Sequence, residues 1–148
     1  MKNSILLKIL TPEKIVYEDT IYKIVVPTES GEIGILQDHS PLVSIIKAGE
    51  LRIQKDPQSE EIPMSISGGI LEVRPSSIIN KIDSEVIILA SRSEFATEID
   101  IARAEEAYNR AKKAMEEADN LADIDFAKLQ AIMDKELNRI NVGKKYRK

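Results

Sequence analysis

Hydrophobic and polar positions along the chain follow two different periods. From Ile5 to about Ala90, short runs rich in Ile, Val and Leu recur, among them SILLKIL, IYKIVV, ELRIQK, ILEVR and VIILA. Several alternate: Leu51 and Ile53 stand against Arg52 and Gln54, and Leu71 and Val73 against Glu72 and Arg74. Successive side chains of a strand point to opposite faces, so a period of two with β-branched residues predicts half-buried strands. Turn chemistry punctuates the runs at Thr11-Pro12, Ser30-Gly31, Ala48-Gly49, Asp56-Pro57, Gly68-Gly69 and Pro75-Ser76. Many short strands at this spacing indicate a β-sandwich or a flattened barrel.

After Ala96 the period changes. Residues 97 to 122 are rich in Ala, Glu and Lys, which favour helix. Ala104, Ala107 or Tyr108, Ala111, Met115, Ala118 and Ala122 recur three and four apart, a stripe of mostly small residues. A second stripe runs through Phe126, Leu129, Met133, Leu137 and Ile140. Asp123 or Asp125 suits the start of that second helix, and Gly143 with Lys144 and Lys145 suits its end. The short NLAD connection predicts an antiparallel helical hairpin. A thin alanine stripe buries little area, so at about 25 cal/mol per Å² the hairpin supports itself only weakly and can move.

Composition narrows the function. The 148 residues suffice for one ordinary domain or a small domain with an appendage. Net charge is −4, carried by residues 1 to 96 with 14 acids and 10 bases; residues 97 to 148 hold 11 of each. No basic face of the kind phosphate contacts need is indicated, so nucleic acid is not an expected partner. Cysteine is absent, which excludes disulfides, thiolate metal sites and cysteine nucleophiles. The opening MKNSILLKIL is interrupted by Lys8 and reads as a first strand, not a signal peptide. No stretch approaches the roughly 20 apolar residues that cross a bilayer, so no direct membrane insertion is expected.

Catalysis finds little support. The single histidine, His39, lies between Asp38 and Ser40, and adjacent residues do not line up as a triad. No ligand spacing marks a metal site, and SGEIGI and SGGI lack the lysine and helix of a phosphate-binding loop. No catalytic residue and no metal ligand is therefore assigned.

Two segments carry a resemblance. GEIGILQDHSPLV at 31 to 43 and SGGILEVRP at 67 to 75 are similar, in order, to the two signatures of the epsilon subunits of F-type ATP synthases. The opening LTPEKIVYEDTI and the closing hairpin extend the similarity over nearly the whole chain. Gln37 stands where that family usually has proline, and residues 76 to 86 form a longer segment than usual, expected as an extended hairpin. The resemblance implies a mainly β plus α fold: a ten-stranded β-sandwich over 1–92, then a two-helix regulatory hairpin over 93–148. It implies a non-catalytic rotor subunit of the central stalk, which couples ion flow to ATP synthesis and restrains ATP hydrolysis through its helices. The implied partners are the gamma subunit, the c-ring and the alpha/beta catalytic head. The isolated chain is expected to be a monomer, and in the cell a peripheral protein at the cytoplasmic face of the bacterial membrane. An adaptor that senses nucleotide, unrelated to ATP synthase, and a small hydrolase built on Asp38, His39 and Ser40 are the competing classes.

The same resemblance assigns sites. Glu32 and His39 match c-ring contact positions. Ile99, Asp100, Arg103 and Ala104 fit the I/L-D-x-x-R-A motif linked to ATP binding, and Glu94, Arg110, Lys135 and Arg139 match further nucleotide positions, with lysine at 135 in place of an arginine. No cofactor is required; ATP is expected as a regulatory ligand. Arg103 and Arg110 share a helix face, as do Lys135 and Arg139. Folding the hairpin would gather four cations, and a polyphosphate would relieve their repulsion, so ATP would favour the folded hairpin.

Overall fold

The computed structural model describes residues 4–77, 82–120 and 122–147. The chain divides into two compact units, Met1–Phe95 and Ala96–Lys148. Because the last strand continues to Phe95, the division falls three residues beyond the expected 92/93.

The first unit is a β-sandwich of eight strands: β1 (Ile5–Leu10), β2 (Ile15–Ile21), β3 (Lys23–Thr28), β4 (Gly31–Ile35), β5 (Leu42–Ile46), β6 (Gly49–Gln54), β7 (Glu61–Ser77) and β8 (Ile82–Phe95). The expectation of ten strands is corrected to eight among the described residues. β7, 17 residues long, serves both layers without interruption. Its first half pairs with β6 and its second half with β5, while β8 follows it from Met64–Phe95 to Ser77–Ile82. The bend comes at Gly68, whose φ of +55° favours glycine. At Gly69 a Cβ would fall 2.2 Å from the Leu89 carbonyl oxygen, so only glycine admits the crossing strand. The Gly68-Gly69 pair, expected as a turn, is thus a bend within one strand.

β1 adds in parallel to β8 and antiparallel to β2; β3 holds β4 and β6. Alternation sends Ile5, Leu7, Ile9, Leu51, Ile53, Leu71, Val73, Val86 and Ile88 into one core, each 2% exposed or less. The β7–β8 rungs continue through Ser77–Ile82. The tip of the extended hairpin expected at 76–86, residues 78–81, lies outside the described residues.

The second unit is a 3-10 turn (Ala96–Glu98), then α1 (Ile101–Glu117) and α2 (Asp123–Tyr146). Lys144 reaches Glu105 at 3.1 Å, and a Cβ on Gly143 would stand 2.8 Å from Ile101 Cγ1, so the helices run antiparallel. Three expectations are corrected here. Ala122, rather than Asp123 or Asp125, takes the N-cap position of α2. Gly143 does not end the helix; it lies inside α2, where a larger residue would strike Ile101 and Ile99. Of the second stripe only Ile140 is buried, while Phe126 and Leu137 are 49% and 43% exposed. The buried face of α2 instead carries Glu136, Arg139, Ile140, Val142 and Gly143.

Candidate functional site

The segment 31 to 43 is shaped by local chemistry. Thr28 Oγ1 donates to the Gly31 carbonyl at 2.7 Å, and Gly31 takes a φ of +111° to close the β3–β4 turn. Ile35, fully buried, pins the end of β4. The chain then turns back: the His39 amide donates to the Leu36 carbonyl at 3.2 Å, with Asp38 at a φ of +65°. The Asp38 amide donates to Ser84 Oγ at 3.2 Å, which ties the turn to β8. His39 Nδ1 lies 2.7 Å from the Ser40 carbonyl oxygen, which can only accept, so Nδ1 carries the proton. That bond orients the ring and leaves Nε2 for a partner.

Glu32, on β4, meets a different environment. Its Oε1 accepts from Arg52 Nη1 at 3.2 Å, and Arg52 Nε donates to Glu61 Oε2 at 2.9 Å. The bond to Glu32, foremost, holds the Arg52 guanidinium above its usual pKa, with the charges of Glu61 and Glu50 adding to it. No hydrogen bond joins Glu32 to His39. Both lie on β4 and the turn that leaves it, each held by its own partner. Sequence reasoning missed Arg52: twenty residues separate it from Glu32, and no local spacing announces the pair.

In the hairpin unit, the I/L-D-x-x-R-A residues divide by task. Ile99 is 1% exposed and packs with Ala96 and Val142; Ala104 is fully buried. Asp100 is the N-cap of α1, its Oδ1 accepting from the Arg103 amide at 3.0 Å. Arg103 and Arg110 are exposed on α1. On α2, Arg139 Nη1 donates to Glu136 Oε2 at 2.7 Å and Lys135 Nζ lies 3.8 Å from Glu136 Oε1, so an internal carboxylate already serves two of the four cations. Glu94 belongs to the sandwich unit, on β8, with Arg92 at 3.9 Å.

A further surface was not foreseen. Ile45, Ile70, Leu89, Leu10 and Ile15 occupy successive paired positions across β5, β7, β8, β1 and β2. Four of them are about half exposed, from 49% at Ile70 to 58% at Ile15, and Leu10 is half-buried. Shallow hollows of about 340 and 380 Å³ flank this row, one beside Val43 and Ile45, the other beside Leu10 and Pro12. The signal in the sequence is Ile87-Ile88-Leu89: consecutive apolar residues in a strand make both its faces apolar.

Among the described residues, no group of three or more His, Asp or Glu is placed to hold a metal ion, and no helix is long and apolar enough to cross a membrane. Residues 4–96 match the beta-sandwich domain, and residues 97–144 the long alpha-helix domain, of the ATP synthase delta/epsilon chain. The chain belongs to the ATP synthase delta/epsilon family. Its relatives there include the ATP synthase epsilon chain of Caldanaerobacter subterraneus, 38% identical over 141 residues that cover 95% of this chain and 94% of that one. The ATP synthase epsilon chain of Thioalkalivibrio sulfidiphilus is 36% identical over 95% of this chain and 92% of its own. The fold is shared with a chain of the Euglena gracilis mitochondrial ATP synthase at a TM-score of 0.69 and 18% identity, covering 92% of this chain and 79% of that one.

Proposed function

We propose that the chain is the epsilon subunit of an F-type ATP synthase, a non-catalytic part of the central stalk that couples ion flow to ATP synthesis. The observation that carries this reading is the match of both family domains, end to end, onto the two units of the fold. The row from Ile45 to Ile15 is the seat of the gamma subunit, since an apolar strip rimmed by polar residues gains most from being covered. Glu32 on β4 and His39 in the turn that leaves it are the c-ring contact: two hydrogen-bonding side chains, each pre-set by its own bond. The complex lies at the cytoplasmic face of the bacterial membrane, and this subunit is peripheral to it, held by partners. The alpha/beta head is reached by the helices, which restrain hydrolysis there.

ATP is the regulatory ligand of the hairpin. Arg103 and Arg110 of α1, with Lys135 and Arg139 of α2, supply the cations for its phosphates. Glu136 is a competing internal anion, so the affinity is modest.

The test is attachment to the ring. Glu32→Ala combined with His39→Ala should weaken binding of the subunit, carried on gamma, to the detergent-solubilised c-ring by about tenfold, the value of two lost hydrogen bonds. The sandwich should melt as before. Undiminished binding would remove the assignment.

A further inference from the structure

We infer that Arg52 is the positioning residue of the ring contact, holding the Glu32 carboxylate in the orientation the partner meets. This rests on the reading of Glu32 as a contact residue. The side chain of Glu32 is 58% exposed, and a glutamate so placed would sample many rotamers in water. It is kept from doing so by one donor, Arg52 Nη1 at 3.2 Å.

Arg52 is itself fixed. It stands on β6, opposite Val25 of β3 on one side and Pro63 of β7 on the other, with its side chain 25% exposed. Glu61 of β7 takes its Nε at 2.9 Å. A guanidinium presents its donors in a rigid plane, so a bond at Nε sets the direction of Nη1 as well. The orientation thus runs from Glu61 on β7, through Arg52 on β6 and over the intervening β3, to Glu32 on β4. Lysine at 52 would keep the charge and lose the plane, so it would not transmit the orientation.

The pairing also leaves Glu32 available. Its Oε1 is engaged by a guanidinium shared with Glu61, and Glu50 adds a third negative charge near the same group. Arg52, shared between Glu32 and Glu61, therefore orients Glu32 without being committed to it alone. Ordering a side chain before association removes that entropy cost from binding.

The experiment uses the full-length chain on gamma and the detergent-solubilised c-ring, with dissociation rates for wild type, Arg52→Gln, Glu32→Ala and the double variant. Arg52→Gln is expected to speed release about 2–10-fold, the range for losing one pre-ordered side chain, and Arg52→Lys should not restore it. The double variant should release no faster than Glu32→Ala alone. Glu61→Gln, which leaves Arg52 untouched, should give a smaller loss that vanishes in the Glu32→Ala background. Thermal melting of each variant verifies that the sandwich is folded. Wild-type release from Arg52→Gln, or additive losses in the double variant, would overturn the positioning role. Wild-type release from Glu32→Ala would overturn the contact reading itself, and this inference with it.

Discussion

The sandwich and the hairpin bury themselves by opposite means. The sandwich closes over large side chains such as Ile5, Leu7, Ile24, Leu71 and Ile88, all fully buried, and keeps its charges outside. The hairpin buries Ala104 and Ala111 on α1, tolerates a glycine at a close approach, and places Glu136 and Arg139 in its buried set while Phe126 and Leu137 face out. One unit is held by a large apolar core, the other by a small one around Ala96, Ile99 and Val142, with one cap and a close approach at Gly143.

The sharpest way to break this contrast is to empty the sandwich core. Leu71→Ala should cost about 2–5 kcal/mol, read as a drop in the urea midpoint of the sandwich. A loss under ~1 kcal/mol would mean that its core is no better packed than the hairpin. In the hairpin the larger effect should come from a cap. Asp100→Ala removes the acceptor for the Arg103 amide and should cost about 0.5–2 kcal/mol of helix stability, seen as lost helical circular dichroism with the sandwich melt unchanged. Arg103→Ala should leave that helicity in place and abolish Mg-ATP binding in a calorimetric titration. Unchanged affinity would remove Arg103 from the nucleotide site. The two variants belong together, because lost binding in Asp100→Ala alone would report a frayed helix as readily as a lost contact.

The smallest effect lies at the sandwich edge. Lys55 donates a hydrogen bond to Asp19 at 2.7 Å, which foremost holds the Asp19 carboxyl below its ordinary pKa. A carboxyl lowered in the folded state adds stability above its unfolded value, near pH 4, and loses it as pH falls through the lower folded value. Asp19→Asn should therefore melt slightly below wild type at neutral pH and converge with it in acid. A constant gap down to pH 2 would assign the difference to packing.

Much of the fold was legible because alternation reports burial directly: Leu51, Ile53, Leu71 and Val73 went in, while Arg52 and Arg74 stayed at the surface. The Gly68-Gly69 bend was not, because a glycine pair reads as a stop locally, whereas pairing with β8 carries the strand through it. Gly143 misled in the same way, since a glycine needed for close approach and one needed to end a helix look alike in sequence. The site was legible as residue types only. Asp-x-x-Arg announces a capped helix start as readily as a ligand pair, and here the aspartate does the capping. In the Glu32–Arg52–Glu61 chain the link from Arg52 to Glu32 spans twenty residues, and so no local spacing reveals it.

The long β7–β8 ribbon has a mechanical meaning. Load applied along its strands falls on all its rungs at once, from Met64 with Phe95 to Ser77 with Ile82, so they must shear together. Load applied at one end, across the strands, would unzip them singly. A body that turns against a neighbour resists best when the drag runs along such a ribbon. With β1 laid in parallel on β8, and β5 and β6 paired to β7, the ribbon is also backed on both flanks.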